Sequence, residues 1–269
     1  MAPVRSGISP SRTRLDGCGP KSPSAALGDG GVAGGERRRH PVSPESIGER
    51  TDWEKHWHEG AAPHTALGRI ASLVRRQVLS RAVRHYARRY FRAEGIFVEC
   101  GCGTGQASAR IERGRRRLIA LDFSTEALRQ AARVPVFTGR LQADIRNLPI
   151  ADGSIDGIWN LGVLEHFDAQ ATAGILSEFR RVLRPGGMAI LFWPPDFGSS
   201  RWVLAPTEGL ISRMRGRPFR LFPDEVNRLG SRRHAAAALA AAGFETVATD
   251  FTARDAFVHV VVVARKPAP

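Results

Sequence analysis

Short apolar runs alternate with helical patterns between residues 95 and 265, which is typical of a parallel sheet with connecting helices. Seven runs predict strands, at 95–98, 118–121, 136–142, 154–160, 188–193, 244–251 and 256–265. Helices are predicted over 107–113 and 124–130, and a third begins after Asp168, where apolar residues recur at helical spacing up to Leu183. The order of these elements predicts a doubly wound α/β domain.

The octet Val-Glu-Cys-Gly-Cys-Gly-Thr-Gly at residues 98–105 follows the first predicted strand. Gly101, Gly103 and Gly105 leave a turn without side chains, so a ligand can approach the backbone closely. The dinucleotide fingerprint needs glycine at its first, third and sixth positions, whereas here the fifth is glycine and the sixth is Gln106. Glu99, just before the turn, would repel a pyrophosphate but would suit an ammonium group.

Acidic and polar residues follow the next predicted strands. Asp122 lies 17 positions beyond Gly105, near where doubly wound folds present a carboxylate to ribose hydroxyls. Phe123 is next to it and is suited to packing on a purine face. Asp144 ends the third predicted strand and Asn160 ends the fourth. The spacing therefore predicts a nucleotide-type site built on successive strand ends.

Five motifs occur in order along the chain: ECGCGTG (99–105), LIALDFS (118–124), ADIRNLPIADGSID (143–156), NLGVLEHF (160–167) and RRVLRPGGMAILFWPP (180–195). In these motifs the chain resembles the class I S-adenosylmethionine-dependent methyltransferases, most closely the type 11 small-molecule branch. The resemblance covers residues 95–195 and, in outline, 240–265. It implies an α/β, Rossmann-like, doubly wound seven-stranded sheet that is mostly parallel, with an antiparallel C-terminal strand.

The resemblance implies that S-adenosyl-L-methionine is the cofactor and that a small molecule accepts its methyl group. The cofactor-binding residues it implies are Glu99, Gly101, Gly103, Gly105, Asp122, Phe123, Asp144, Ile145, Asn160 and Leu161. Glu99 would hold the amino-acid end, Asp122 the ribose hydroxyls, and Asp144 with Ile145 the adenine, while residues 160–161 would lie near the sulfonium. The glycines would pass under the methionine and ribose.

Methyl transfer from a sulfonium depends mainly on alignment, so a strong catalytic motif is not required. His166 follows the fourth strand at the edge where open α/β sheets bind ligands, and it is the weak candidate for a general base. The alternative for His166 is a structural histidine with local hydrogen bonds. We interpret Cys100 and Cys102 as small residues that fill space beside the turn, and not as nucleophiles. Their spacing does not match a zinc site, so no metal is expected.

The formal net charge is +14, and 37 of the 40 basic residues are arginine. Together with abundant alanine and glycine, this pattern favours a GC-rich genome over a specific nucleic-acid site. Three cysteines and no apolar leader segment predict a cytoplasmic protein. Residues 1–50, rich in Gly, Ser, Pro and Arg, are predicted to be a disordered tail.

Residues 51–94 predict a helical cap before the methyltransferase domain at 95–269. Within it, a helix from about 65 to 92 carries an apolar stripe through Leu67, Ile70, Val74, Val78, Ala82, Tyr86 and Tyr90. Eight arginines accompany the stripe, and no acid occurs between Glu59 and Glu94. One interpretation is a helix that covers the sheet edge and exposes a solvated outer face. The other is peripheral contact of the basic helix 66–93 with an anionic membrane or an acidic partner.

Residues 194–235 mix aromatic residues with arginines in a long connection, which indicates a substrate-side insertion or lid. Such a composition suits a lipophilic or anionic acceptor. Two other functions stay open for the chain as a whole. One is a cofactor-binding module that is non-catalytic or acts at a membrane surface. The other, disfavoured by the glycine spacing, is an NAD-dependent oxidoreductase.

Overall fold

The computed structural model describes Arg69 and residues 72–199, 212–213, 216 and 225–268. All of them belong to one compact unit, Val42–Pro269. The predicted tail at 1–50, the start of the predicted cap and most of the predicted lid at 194–235 lie outside the described residues, so the domain boundaries stay predictions.

Seven strands form one sheet in the order β3-β2-β1-β4-β5-β7-β6. Their bounds are Glu94–Cys100 (β1), Arg115–Asp122 (β2), Gly139–Gln142 (β3), Ile155–Leu161 (β4), Leu183–Trp193 (β5), Glu245–Asp250 (β6) and Val260–Arg265 (β7). Strands β1 to β5 pair in parallel, and β7 runs antiparallel to both β5 and β6. The predicted mostly parallel sheet with an antiparallel C-terminal strand is confirmed.

In the described part of the chain, four α-helices connect or cover these strands: Ser80–Tyr90 (α1), Thr125–Ala131 (α2), Ala169–Val182 (α3) and Arg232–Ala241 (α4). The predicted caps of α2 and α3 are confirmed. The Ser124 hydroxyl accepts a hydrogen bond from the Ala127 N–H at 3.1 Å, and the Asp168 carboxylate accepts one from the Ala171 N–H at 2.7 Å. Such caps satisfy N–H groups that lack partners within the helix.

The helix predicted over 107–113 is wrong, because that stretch contains only a 3₁₀ turn, Gln106–Ser108. Contacts with distant residues hold the rest in an irregular path. The Ser108 hydroxyl accepts from the Trp159 indole at 2.9 Å, and the Arg110 guanidinium donates to the Gln77 side chain at 2.8 Å. These tertiary contacts override a local pattern that was only weakly helical.

The basic helix before β1 contains a π-helical segment, Arg75–Leu79, followed by α1. A π-helix bonds each residue to the fifth along the chain, so it turns the following side chains to a different face. Accordingly, Val74 of the predicted stripe is 37% exposed, whereas Leu79 and Val83 are buried. The stripe prediction is therefore wrong at Val74 and correct at Ala82 and Tyr86, while Leu67 and Ile70 lie outside the described residues.

The apolar face of α1 packs on one face of the sheet, in a cluster that includes Phe97, Trp159 and Phe192. The opposite face of the sheet is covered by a second cluster to which α3 and α4 contribute. Because α1 already buries its apolar side, a membrane contact of helix 66–93 would depend on its arginines, and that contact stays a prediction. No helix within the described ranges is both long enough and apolar enough to cross a bilayer.

Candidate cofactor site

The glycine turn after β1 adopts backbone conformations that disfavour other residues. Gly101, Gly103 and Gly105 have φ angles of 74°, 49° and 69°. A Cβ atom at Gly101 would lie 2.6 Å from Val163 Cγ2, and one at Gly105 would lie 2.7 Å from Phe137 Cε2. Both distances are shorter than real carbon contacts, so Gly101 and Gly105 are required by the close packing of Val163 and Phe137 as well as by their φ angles.

Asp122 lies buried at the end of β2, with its carboxylate directed at the glycine turn. One oxygen accepts a hydrogen bond from the Gly103 N–H at 2.9 Å, and the other accepts from the Ser124 N–H at 2.9 Å. The carboxylate is therefore held in place by the protein backbone. A carboxylate only accepts hydrogen bonds, which suits ribose hydroxyl donors, and this role of Asp122 stays a prediction.

Glu99 is buried on β1 beside the turn, and its Oε2 atom has no hydrogen-bond partner among the described residues. Burial raises the pKa of Glu99 to about 8, and the charge of Asp122 raises it further, while hydrogen bonds from Ser108 and Trp159 act in the opposite direction. A buried carboxyl with an unsatisfied oxygen is stabilised by a nearby cation. The residue therefore fits the ammonium group of a bound amino acid.

Asn160 ends β4 next to the turn and is fully buried. Neither its amide nitrogen nor its amide oxygen has a partner among the described residues. Buried amides are normally hydrogen-bonded, so an unsatisfied one at a strand end indicates a position that a ligand or water completes. Leu161, which follows it, is half-buried.

The residues predicted at the adenine lie beside the end of β2, because the Ala143 N–H donates to the Asp122 carbonyl at 3.1 Å. Ile145 is buried and Phe123 is half-buried. Asp144 forms an ion pair with Arg146 at 2.7 Å, a partner that the sequence did not reveal. The Arg146 guanidinium in turn lies 5.6 Å from the centre of the Phe167 ring.

His166 lies in a 3₁₀ turn, Leu164–His166, beyond the end of β4. Burial lowers the pKa of His166 to about 4, so the imidazole is neutral at pH 7 and is a weak base. Its Nε2 atom lies 3.8 Å from the buried Glu165 carboxyl, whose pKa burial raises to about 8. The catalytic role of His166 stays a prediction.

The two cysteines of the turn are both buried, and burial raises the pKa of each thiol. They are therefore protonated thiols in apolar surroundings, which is the environment of the small fillers predicted from the sequence.

The structure also shows polar pairs that sequence reasoning missed. Asp255 and His259 are buried together in the connection between β6 and β7, and Tyr86 of α1 donates a hydrogen bond to Asp250 at 3.0 Å. For Asp255 and His259, the sequence offered one signal, which is that the acid and the histidine are four positions apart. The second pair spans 164 positions and has no local signal.

The sheet order defines a Rossmann-like fold, and the buried acids beside its glycine turn have the chemistry to bind a nucleoside that carries a positive charge. Residues 98–191 match the family model described as "Methyltransferase domain". Over this region the chain is similar to S-adenosylmethionine-dependent methyltransferases, and S-adenosylmethionine is the cofactor that the similarity indicates. The assignment favours a methyltransferase over the nicotinamide alternative.

Similar proteins carry related names. The chain is 36% identical over 121 residues to malonyl-[acyl-carrier protein] O-methyltransferase of Hamiltonella defensa subsp. Acyrthosiphon pisum, covering 43% of this chain and 46% of the relative. It is 37% identical over 98 residues to a probable S-adenosylmethionine-dependent methyltransferase of Mycolicibacterium smegmatis, covering 36% and 37% of the two chains. The matches thus span about a third to a half of these relatives' length.

A solved structure shares the fold over most of its length. The Burkholderia thailandensis 1,6-didemethyltoxoflavin-N1-methyltransferase, bound to S-adenosylhomocysteine and 1,6-didemethyltoxoflavin, superimposes with a TM-score of 0.57 at 20% identity. The comparison covers 84% of this chain and 91% of that one. At this identity the likeness shows the fold alone.

Proposed function

We propose that this protein transfers the methyl group of S-adenosylmethionine to a small-molecule acceptor by in-line displacement. The observation that carries the proposal is the buried Glu99 carboxyl with its unpartnered oxygen, next to a glycine turn that the Asp122 carboxylate holds open. These groups match the ammonium and ribose ends of the cofactor, and the turn between them leaves room for its body.

The work of these residues is to bind and align. When bound, the cofactor supplies a methyl group on a positively charged sulfur, which is already a good leaving group. Glu99 and Asp122 would hold its two ends, and Asn160, near the end of β4, would line the site beside them. Holding an acceptor in line with the sulfur–methyl bond supplies most of the acceleration, since effective molarity can lower the barrier by about 7–11 kcal/mol.

Exposed aromatic side chains at the same edge of the sheet support an acceptor with an apolar body. Phe197 follows β5 and is 46% exposed, and Phe257 precedes β7 and is 44% exposed. Their rings meet that of Phe251, with centroids 5.2 Å and 5.3 Å apart. Several relatives are named for methylating malonyl-[acyl-carrier protein], so an acyl compound is within the class of acceptors that we propose.

The first test is calorimetric binding of S-adenosylhomocysteine to the purified protein, for which we expect one site per chain. Failure to bind would contradict the proposal. The second test incubates the protein with deuterium-labelled S-adenosylmethionine and a deproteinised metabolite extract, and mass spectrometry then detects products that carry the labelled methyl group. A parallel reaction with malonyl-[acyl-carrier protein] distinguishes a carrier-bound acceptor from a free one.

A matched control uses Glu99→Gln, which keeps the shape of the side chain and removes its charge. We expect the labelled product to disappear with this variant under limiting cofactor. If the wild-type protein binds S-adenosylhomocysteine but labels nothing in either reaction, the alternative of a cofactor-binding module without catalysis is supported instead.

A further inference from the structure

The connection between β6 and β7 lies at the same edge of the sheet as the cofactor site. Strand β6 runs parallel to β1 and β4, because β7 is antiparallel both to it and to β5. Strand β6 therefore ends, and β7 begins, at the carboxyl edge of the sheet, where open α/β sheets bind their ligands. Residues 251–259 form this connection.

Within the connection, Asp255 and His259 form a buried pair. One Asp255 oxygen accepts a hydrogen bond from the His259 backbone N–H at 2.8 Å and lies 3.1 Å from the Nδ1 atom of its ring. The side chains are 2% and 6% exposed, respectively. Since an ionised carboxylate only accepts hydrogen bonds, the neutral imidazole must carry its proton on Nδ1. The Nε2 atom then has its lone pair available, and it has no hydrogen-bond partner among the residues that the structure describes.

A strained backbone holds the pair together. Ala256 and Phe257 have φ angles of 58° and 57°, the left-handed region that residues other than glycine rarely adopt. Hydrogen bonds fix this path, from the Phe257 N–H to the Thr252 carbonyl at 3.1 Å and from the Ser199 N–H to the Phe257 carbonyl at 3.0 Å. Two consecutive residues in this conformation cost free energy, and such strain concentrates at functional sites.

The His259 ring lies on the face of the sheet that carries the cofactor acid. It meets the ring of Phe192 edge-on at 5.9 Å, and Phe192 belongs to the same core cluster as Trp159. Trp159 pairs in register with Glu99, and Phe192 pairs with Leu161. Adjacent strands lie about 4.8 Å apart, so the start of β7 is about 10 Å from the end of β4. Only strand β5 separates them, at the edge of the sheet where we propose that the acceptor binds.

We propose that His259 is the general base of this methyltransferase and that Asp255 is its positioning residue. The inference rests on the proposed function. The acceptor O–H or N–H gives its proton to His259 Nε2, and the acceptor lone pair forms a bond to the methyl carbon. The bond between that carbon and sulfur breaks, with its electron pair left on sulfur, which yields S-adenosylhomocysteine. The imidazolium then releases the proton to water.

The groups packed around His259 agree with this role. Tyr86 of α1 contacts the other side of Phe192, with ring centroids 5.7 Å apart, and burial and the hydrogen bond to Asp250 raise the pKa of its hydroxyl. Tyr86 therefore stays neutral and does not compete for the proton. Besides Asp255 and Asp250, the charged group of this connection is the exposed Arg254. Burial lowers the pKa of the other candidate, His166, to about 4, so its imidazole is a poor proton acceptor.

The kinetic test compares kcat and KM of three variants with the wild type, on the acceptor found with the labelled cofactor. His259→Gln should lower kcat about 100-fold or more, since general-base catalysis contributes at least that much in typical cases. Asp255→Asn keeps the shape and the two hydrogen bonds but removes the charge that stabilises the imidazolium, and it should lower kcat about 10-fold. The control is His234→Gln on the exposed face of α4. In all three variants, S-adenosylhomocysteine affinity should match that of the wild type.

A tautomer measurement needs no acceptor. Long-range ¹H–¹⁵N correlation spectra of the imidazole groups, assigned with His259→Gln, should show His259 with its proton on Nδ1 in the wild type. Asp255→Ala should shift the proton toward Nε2. A proton on Nε2 in the wild type, or full kcat in His259→Gln or Asp255→Asn, would overturn the proposal. If the wild type methylates nothing, the proposed function fails, and the tautomer alone decides whether His259 is oriented as a base.

Discussion

The Asp122 carboxylate and the Gly103 N–H form a hydrogen bond of 2.9 Å that joins the end of β2 to the middle of the glycine turn after β1. The Ser124 N–H donates to the other carboxylate oxygen, also at 2.9 Å. The Asp122 side chain is therefore oriented before any ligand binds, so binding does not carry the entropic cost of ordering it. This places the carboxylate, the turn and the cap of α2 in one rigid unit.

Changing Asp122 to Asn should weaken S-adenosylhomocysteine binding. An amide of the same shape has one oxygen in place of two, so it cannot accept from both backbone N–H groups and also serve the ribose hydroxyls. The loss of a charge-assisted hydrogen bond predicts a reduction of about 1–3 kcal/mol in binding free energy, measured by titration calorimetry.

The matched control is Asp152→Asn. Asp152 is exposed and pairs with Arg181, outside the strand ends that form the cofactor site. Its neutralisation changes the net charge by the same amount and should leave the affinity unchanged. Equal losses in both variants would indicate a long-range charge effect and not a specific contact at Asp122.

The positions that the sequence predicted well are those whose role is set by near neighbours. The φ angles of the glycine turn, the Ser124 and Asp168 caps and the acid after β2 all depend on residues within a few positions. The apolar stripe predicted before β1 was wrong at Val74. A π-helical segment lies between Val74 and α1, so Val74 does not share the face that α1 buries. The helix predicted over 107–113 failed where the distant Trp159 and Gln77 hold the chain.

Features that arise between distant residues could not be predicted. The raised pKa of Glu99 depends on burial and on the charge of Asp122, and hydrogen bonds from Ser108 and Trp159, which lie on other elements, oppose it. The Asp255–His259 pair depends on a left-handed backbone at Ala256 and Phe257, where no glycine marks the turn. The sequence therefore identified candidate groups for binding the methyl donor, while the pair that we propose for the acceptor could be found only from the fold.

The raised pKa of Glu99 predicts that cofactor binding releases a proton. Burial raises this pKa to about 8, so most Glu99 side chains are protonated at pH 7 in the free protein. An ammonium group beside the carboxyl favours its ionised form and lowers the pKa. Binding of S-adenosylhomocysteine should therefore release a proton, and the affinity should rise between about pH 6 and pH 8. Calorimetry in buffers of different ionisation enthalpy measures the proton directly.

Two variants separate Glu99 from other buried acids. Glu99→Gln should abolish the proton release, whereas Glu165→Gln should keep it, although burial raises the pKa of Glu165 to about 8 as well.

The raised pKa of Glu99 also affects the stability of the free protein. Its pKa exceeds the ordinary value of 4.5, so the folded state binds more protons than the unfolded state between these pH values. Its contribution to the unfolding free energy should fall as the pH rises through this range, and Glu99→Gln should flatten that dependence.

Gly101→Ala should disrupt the site for two separable reasons. The left-handed φ of 74° disfavours alanine, and the new Cβ would lie 2.6 Å from Val163 Cγ2. Gly186→Ala isolates the first effect, because Gly186 has a φ of 75° and no atom within 4 Å of the Cβ position. The backbone effect alone should cost about 1–2 kcal/mol of unfolding free energy, and the clash should add about 1–3 kcal/mol.

Urea denaturation measures both glycine variants, and calorimetry measures their S-adenosylhomocysteine affinity. We expect Gly186→Ala to bind as the wild type does and Gly101→Ala to bind more weakly. Adding Val163→Ala to Gly101→Ala should recover the part of the stability that the clash removed. If the two single variants lose the same unfolding free energy, Val163 moves aside without a measurable cost and the steric argument is wrong.

Tyr86→Phe should destabilise the attachment of α1 to the sheet. The Tyr86 hydroxyl donates a 3.0 Å hydrogen bond to the Asp250 carboxylate, which joins α1 to the end of β6. Phenylalanine keeps the packing on Phe192 but leaves the carboxylate without this donor, so the unfolding free energy should fall by about 1–2 kcal/mol.

Tyr90→Phe is the control for Tyr86→Phe. The Tyr90 ring stacks on that of Tyr86 with centroids 6.3 Å apart, but it lies half-exposed at the end of the helix. Urea denaturation should show a change within about 0.5 kcal/mol for Tyr90→Phe. Equal effects of the two substitutions would mean that ring packing, and not the hydrogen bond to Asp250, holds α1 in place.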